Sequence, residues 1–136
     1  MKIKLIIRCV FLLASAVMQG QEPFYPEPMP HLELPVNTID LGMIPPDTVA
    51  GGELEFINSG EAPLVITQVF SECGCTVSDY SKDPVEPGEK GVIRVNFNSK
   101  GRGPGDFKKA LRIRSNADNK REIIFVKGTV KRKYRK

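Results

Sequence analysis

From about residue 36 onward, apolar and polar residues alternate along the chain. Ile93, Val95 and Phe97, for example, alternate with Arg94 and Asn96. A period of two places successive side chains on opposite faces of a β-strand, so each such strand has one apolar face. Two sheets of this kind keep their apolar faces away from water by covering one another. The pattern therefore predicts an all-β fold, a small β-sandwich.

Six segments have this pattern, and turn residues such as Gly, Pro, Asp or Asn separate them. They are residues 36–41, 52–58, 64–70, 91–97, 107–115 and 121–130. The connections between them are rich in turn residues; Pro87 and Gly88, for instance, fit the centre of a type II turn. The spacing leaves no room for long helices.

The first 20 residues have the pattern of an export signal. Three cations precede the apolar run 9–18, and this order is typical of signal peptides. The run is shorter than the roughly 20 apolar residues that a membrane span needs. We predict a signal peptide over residues 1–20, cleaved after Gly20 or Ala16, with export to the periplasm or the cell exterior. No transmembrane span is expected after cleavage.

A proline-rich segment separates this signal from the strands, with four prolines in residues 22–30. Such a composition favours an extended polyproline helix. We predict a linker over residues 21–35, one domain over 36–130 and a basic tail over 131–136. The domain is long enough to bury a core of its own. His31 is expected to be an exposed residue of the linker.

The net charge of +4 comes mostly from the ends of the chain. Three of the 20 Lys and Arg lie in the signal segment and none of the 16 Asp and Glu do, so the mature chain carries +1. Five cations lie in the tail 131–136. We expect a solvated terminus, with weak contact to an anionic surface as the alternative. The tail contains no recognisable nucleic-acid-binding motif, and no nucleic-acid partner is predicted.

Cys73 and Cys75 are the only cysteines of the predicted mature chain. In an extended strand, residues two apart lie roughly 6.5–7 Å from one another, which is at the limit for a disulfide. Gly74 has no Cβ and can act as the hinge of a turn that brings the two sulfurs together. A strained, easily reduced Cys73–Cys75 bridge, structural or redox-active, is therefore one interpretation.

Three other interpretations of these cysteines stay open. Both thiols can serve as small hydrophobes of the core, or they can form an intermolecular disulfide or covalent attachment. They can also bind Cu(I) or half of a zinc site, although a closed zinc site needs four ligands and His31 is the only histidine. We predict no metal and no cofactor.

The sequence lacks a recognisable catalytic arrangement, since its single histidine precedes the strands. The Gly-rich loop 99–106 is not followed by the Gly-Lys-Ser/Thr sequence of a phosphate-binding loop. We therefore predict a protein that is not an enzyme and has no catalytic residues. Because loops of sandwich domains often bind partners, residues 99–106 and 73–87 are the candidate contact surfaces.

Several short motifs occur in a characteristic order: 39–46 (IDLGMIPP), 56–66 (FINSGEAPLVI), 71–76 (SECGCT), 87–89 (PGE), 95–101 (VNFNSKG) and 115–118 (SNAD). In this order and at these separations, they resemble the bacterial family known as domain of unknown function 1573. The Gly-rich stretch 47–53 departs from the usual family pattern, since it lacks a second acid-rich turn.

This resemblance implies a single immunoglobulin-like β-sandwich of about seven strands, related to the Hydin and major-sperm-protein type, on exported bacterial proteins. It supplies no activity, because the family has no established biochemical role. Both cysteines match the family without selecting among their four interpretations.

We predict an exported immunoglobulin-like domain that is a non-catalytic binding or structural module of the cell envelope. Its partner is expected to be a protein or another envelope component. The alternative is a periplasmic thiol-redox or metal-handling protein that acts through Cys73 and Cys75.

Overall fold

A computed structural model describes residues 20–71 and 76–134, and these residues form eight β-strands and no helix. The prediction of an all-β fold is confirmed. The described residues include no helix that could serve as a membrane span. The strands are β1 (Leu32–Glu33), β2 (Thr38–Ile44), β3 (Val49–Asn58), β4 (Ile66–Ser71), β5 (Thr76–Tyr80), β6 (Lys90–Asn98), β7 (Gly105–Ser115) and β8 (Arg121–Val130).

The strands form two sheets, as the alternating pattern predicted, and each sheet has four strands. Sheet 1 has the order β1-β3-β6-β5, and its neighbouring strands are all antiparallel. Sheet 2 has the order β2-β8-β7-β4, in which β2 runs parallel to β8 and the other pairs are antiparallel. Each sheet turns one face to the core and the other to solvent.

The core lies between the sheets and is made of the inward residues of the alternating pattern. Phe56 of sheet 1 and Ile124 of sheet 2 are fully buried there. At one end of the sandwich, Phe97 of sheet 1 stacks on Phe107 of sheet 2, with ring centroids 3.8 Å apart. A Cβ at Gly91 would overlap the Phe56 ring, so β6 needs a glycine where it crosses this side chain.

The sandwich begins before residue 36, the predicted start of the domain. β1 lies within the predicted linker, and its Leu32 is buried in the core opposite Asn58 of β3. The structure therefore has two strands beyond the six predicted segments, β1 and β5. A two-residue strand is too short to show a period, and the two apolar residues of β5, Val77 and Tyr80, lie three positions apart.

The residues just before β1 are tied to the turn between β7 and β8. The backbone N–H of Asp118 donates to the carbonyl of Pro30 (3.0 Å), and the His31 Nδ1 atom lies 2.7 Å from the Asp118 Oδ1 atom. His31 is therefore only half-exposed. It is paired with Asp118 and belongs to the folded domain, whereas the sequence predicted an exposed residue of the linker. This hydrogen bond is the main cause that lowers the pKa of Asp118.

Asn58, at the end of β3, is a fully buried polar residue with all its side-chain groups satisfied. Its amide nitrogen donates to the carbonyls of Ala62 (2.7 Å) and Val85 (2.8 Å). Its amide oxygen accepts from the backbone N–H groups of Gly60 (3.0 Å) and His31 (3.3 Å). One side chain therefore joins the end of β3, the following turn and the segment before β1.

Candidate binding surface on the outer face of sheet 2

The outward face of sheet 2 carries a group of exposed cations on its two central strands. Alternation along β7 buries Leu111 and Ile113 and turns the residues between and beside them to solvent. Along β8, Ile124 and Val126 are buried in the same way. We call the outward group the cationic face; it consists of Lys108, Arg112, Arg114, Arg121 and Lys127.

Like charges lie directly opposite one another in this face. Arg114 of β7 is paired with Arg121 of β8, and Lys108 is paired with Lys127. Like charges at opposed positions of neighbouring strands destabilise a sheet. The register of β7 on β8 therefore brings positively charged side chains together, and their repulsion lowers the stability of the sheet.

The outward face of sheet 1 has the reverse arrangement. Glu53 lies opposite Arg94 and its carboxylate is 3.5 Å from the guanidinium, while Lys90 is 3.3 Å from Glu55. Asp79 of β5 also lies opposite Arg94. Cations of sheet 1 are therefore balanced by acids on neighbouring strands, and the excess of positive charge is a local property of sheet 2.

One end of the cationic face is partly neutralised from within the chain. The Lys127 ammonium lies 3.3 Å from the Asp40 carboxylate, and Lys108 lies over the Phe125 ring at 4.3 Å. Asp40 also accepts a hydrogen bond from the N–H of Gly42, at a β-bulge in β2 where this glycine has a φ of 65°. This N–H and Lys127 hold the pKa of Asp40 below its ordinary value.

At the other end of the cationic face, Arg114 and Arg121 lack such neutralisation by the described residues. Arg114 lies over the Phe70 ring at 5.3 Å. None of the ion pairs formed among the described residues includes Arg114 or Arg121. Within the part of the chain that the structure describes, the charges of this arginine pair are therefore not balanced by a carboxylate.

A depression of about 270 Å³ lies at this end of the face. Its lining combines three arginines and one acid, Glu122, with apolar surface, since Phe70 contributes to it and Ile123 is 46% exposed. A partner that combines a carboxylate with an apolar or aromatic side chain matches this chemistry. The lining residues are Phe70, Arg112, Ile113, Arg114, Arg121, Glu122 and Ile123.

A larger, shallow depression of about 610 Å³ lies at the neutralised end, next to the bulge in β2. Its charged and polar groups already have partners within the chain. Lys127 pairs with Asp40, and the Thr129 hydroxyl donates to the Asp106 carboxylate at 2.6 Å. We therefore place the candidate binding surface at the Arg114–Arg121 end.

The cysteine site predicted from the sequence, Cys73 and Cys75 with Gly74 as hinge, lies outside the described residues. β4 ends at Ser71 in sheet 2 and β5 begins at Thr76 in sheet 1. The disulfide, redox and metal interpretations therefore stay predictions. Among the residues that the structure describes, no group of three or more His, Cys, Asp or Glu could hold a metal ion.

The predicted contact loop 99–106 is anchored by a buried side chain at its start. The Ser99 hydroxyl accepts a hydrogen bond from the Thr48 N–H (2.9 Å) and donates within the Pro45–Thr48 turn. Beside it, Lys133 of the tail lies 3.0 Å from Asp47 and is the main cause that lowers the pKa of that carboxyl. Residues 131–134 are exposed, while contact of the tail with an anionic surface stays a prediction.

The fold is that of PapD-like, immunoglobulin-like β-sandwiches. The ASH/PapD-like domain 7 of human CEP192 aligns with a TM-score of 0.63 at 13% identity, covering 88% of this chain and 98% of that domain. The crystal structure of a protein of unknown function from Porphyromonas gingivalis W83 aligns with a TM-score of 0.65 at 15% identity, covering 81% of this chain and 51% of that one. This chain thus spans about half the length of the P. gingivalis protein.

A partial match to the Vibrio cholerae VesB protease has a TM-score of 0.54 at 9% identity and covers 75% of this chain but 31% of the protease. At these low identities, the three structures show a shared fold alone. The search of the curated proteins found no match.

The family model described as protein of unknown function (DUF1573) matches residues 32–130. The chain belongs to this family, so the resemblance of its sequence motifs is confirmed. The match begins at the first residue of β1 and ends at the last residue of β8.

Proposed function

We propose that the chain is an exported, non-catalytic binding module of the cell envelope that binds an acidic, aromatic segment of a partner protein through its cationic face. The observation that carries this proposal is the Arg114–Arg121 pair, which is opposed in the sheet and lacks an ion-pair partner among the described residues. Export is supported by the charge and hydropathy pattern of residues 1–20.

The cost of placing like charges opposite one another supports a binding role. An anionic partner would neutralise both guanidinium groups at once and relieve their repulsion, so binding would be coupled to a gain in sheet stability. Arginine is suited to this task because its planar guanidinium forms paired hydrogen bonds with a carboxylate. The exposed part of Ile123 and the Phe70 ring add apolar contact beside these charges.

The shape of the site favours a macromolecular partner over a small ligand. Small-molecule sites are concave and bury most of the ligand's surface, whereas this depression of about 270 Å³ lies on an outward sheet face. A site of this size accommodates one side chain of a larger partner. An extended acidic segment can place its carboxylates on the arginine pair and an aromatic ring in the depression.

Binding of a short synthetic peptide of alternating Glu and Tyr tests this proposal. We expect the wild-type chain to bind it, and Arg114→Gln with Arg121→Gln to weaken binding at least about tenfold, which corresponds to 1.4 kcal/mol. Isothermal titration calorimetry at low and at physiological salt measures both affinities. Binding should weaken as salt rises, because exposed charges are screened.

The matched control removes two cations from the other sheet, Lys90→Gln with Arg94→Gln. It changes the net charge equally, so we expect peptide affinity to stay within about twofold of wild type. A second peptide with Lys in place of Glu should not bind. Equal loss of binding in both double variants would show non-specific charge attraction and would refute a site on sheet 2.

A further inference from the structure

The segment before β1 combines acidic and aromatic residues, and nothing in the described structure covers it. We call residues 22–29 the N-terminal arm. Its Phe24 and Tyr25 side chains are 92% and 79% exposed, and Glu22 and Glu27 flank them in the sequence. Two adjacent aromatic side chains this exposed mark a segment that gains stability by binding apolar surface.

The base of the arm lies at the same end of the molecule as the arginine pair. The carbonyls of Met29 and Pro30 accept hydrogen bonds from Glu61 (2.9 Å) and Asp118 (3.0 Å). Asp118 lies in the turn between β7 and β8, and that turn joins the strand ends that carry Arg114 and Arg121. The structure therefore holds the arm next to the Arg114–Arg121 end of the cationic face.

The composition of the arm opposes folding back onto its own domain. Pro23, Pro26 and Pro28 each fix φ near −65°, and proline-rich segments adopt a stiff extended helix that advances about 3.1 Å per residue. A sharp reversal at the base would have to bend this segment directly beside the buried Pro30. An arm that stays extended meets the face of a neighbouring molecule more readily than its own.

We propose that the N-terminal arm of one copy binds the cationic face of a second copy, and that the arms are exchanged reciprocally in a two-fold symmetric dimer. This inference rests on the proposed function, because it uses the same face. Glu22 and Glu27 pair with the arginines, and an arm aromatic ring occupies the depression beside Phe70 and Ile123. The partner segment of the proposed function is thus supplied by the chain itself.

Reciprocal exchange is possible because each copy carries both the N-terminal arm and the cationic face. The surface patch and its ligand lie on one molecule, so two copies related by a two-fold axis satisfy both arms and both faces and leave no free end for further growth. Such a small contact through two short arms belongs to the weak, transient class of interfaces. We therefore expect a concentration-dependent equilibrium that weakens about tenfold or more from low to high salt.

Two charge-reversal variants test the proposal by sedimentation velocity over a concentration series. The arm variant carries Glu22→Lys with Glu27→Lys, and the face variant carries Arg114→Glu with Arg121→Glu. Each alone would be monomeric at concentrations where the wild type is dimeric, because arm and face then have the same sign. Mixed in equal amounts, the two variants would form a heterodimer, since each arm then meets a face of opposite charge.

Two controls make the result interpretable. Lys90→Glu with Arg94→Glu makes the same charge change on sheet 1 and should leave dimerisation within about twofold of wild type. Deletion of residues 22–28 keeps the buried Pro30 and should give a folded monomer that binds the Glu-Tyr peptide more tightly than the wild type does. Circular dichroism of each variant checks that its fold is intact.

The outcomes separate the two proposals. A wild-type chain that stays monomeric over the whole series, or a dimer that survives both reversals, overturns arm exchange. Peptide binding by the face without self-association overturns arm exchange alone and leaves the proposed function standing. Absence of both peptide binding and self-association overturns both proposals, whereas restored association in the mixture supports arm exchange directly.

Discussion

Asn58 illustrates how a single buried polar side chain can determine the end of a sandwich. Both amide hydrogens and both lone pairs of its side chain have partners on three different segments. Buried polar groups contribute to stability when every group is satisfied and are costly when one is not. This residue therefore requires both the donors and the acceptor of an amide.

Asn58→Asp is expected to lower the free energy of unfolding by about 3 kcal/mol or more at neutral pH. The carboxylate has no N–H group to donate to Ala62 and Val85, and its charge would be buried against their carbonyls. Urea unfolding monitored by circular dichroism measures the change. Asn96→Asp, at an exposed position of β6, is the control and should change stability by less than about 0.5 kcal/mol. Similar effects of the two substitutions would contradict this account of Asn58.

At the scale of strands, the two sheets differ in how charged residues pair across neighbouring strands. Sheet 1 opposes Glu53 to Arg94, whereas sheet 2 opposes Arg114 to Arg121. Opposite-charge cross-strand pairs contribute roughly 0.2–1 kcal/mol, and like-charge pairs are destabilising. Functional surfaces often reduce the stability of the element that carries them. The contrast within one small domain favours a binding role for sheet 2.

Arg121→Glu is therefore expected to stabilise the fold by about 0.5–1 kcal/mol, because it converts the like-charge pair with Arg114 into an opposite-charge pair. The gain should shrink at high salt. Arg94→Glu is the matched substitution in sheet 1, where it creates like charges opposite Glu53 and Asp79 and should destabilise by a similar amount. Thermal unfolding of both variants at low and high salt gives the comparison. A loss of stability in Arg121→Glu would show that the arginine pair is not repulsive.

At the scale of the whole molecule, exposed carboxylates bind the segments that precede β1 and follow β8. Asp118 binds His31 ahead of β1, and Asp47 binds Lys133 after β8. Asp40 supports the bulge of the edge strand β2 through Gly42 and Lys127. Each of these contacts lowers the pKa of its carboxyl below the ordinary value of 3.8.

These shifts predict a loss of stability in acid. A carboxyl whose pKa is lower in the folded state binds fewer protons there than in the unfolded chain, so its contribution is fully present well above the ordinary pKa of 3.8. It is lost as the pH falls below that value and through the lower folded value. We expect the unfolding temperature to be nearly constant from neutral pH to about pH 5 and to fall modestly below about pH 4, because exposed ion pairs contribute little.

The triple variant Asp40→Asn, Asp47→Asn and Asp118→Asn isolates these three groups. It should be less stable than the wild type at pH 5, and the difference should narrow as the pH falls below about 4, because protonation removes the same charges from the wild type. Differential scanning calorimetry over this pH range measures both curves. Parallel curves for the two proteins would mean that other carboxyls cause the acid sensitivity.

Within the strands that alternate regularly, the sequence alone determined which residues face the core and which face solvent. Ile93, Val95 and Phe97 are all buried as their alternation predicted, and β8 occupies the predicted residues 121–130. Alternation is a local property, because consecutive side chains of a strand point to opposite faces whatever the strand pairs with. The motifs that identified the family are local in the same sense. These two signals were sufficient for the all-β sandwich and its family.

Only the tertiary structure decided which residues lie side by side across strands and segments. Arg112 and Arg114 alternate visibly with Leu111 and Ile113, but the pairing of Arg114 with Arg121 depends on the register set by the turn between β7 and β8. The place of Leu32 in the core likewise depends on partners far along the chain. The period of a strand determines its faces, whereas register and docking depend on packing between distant segments, and the cationic face results from that packing.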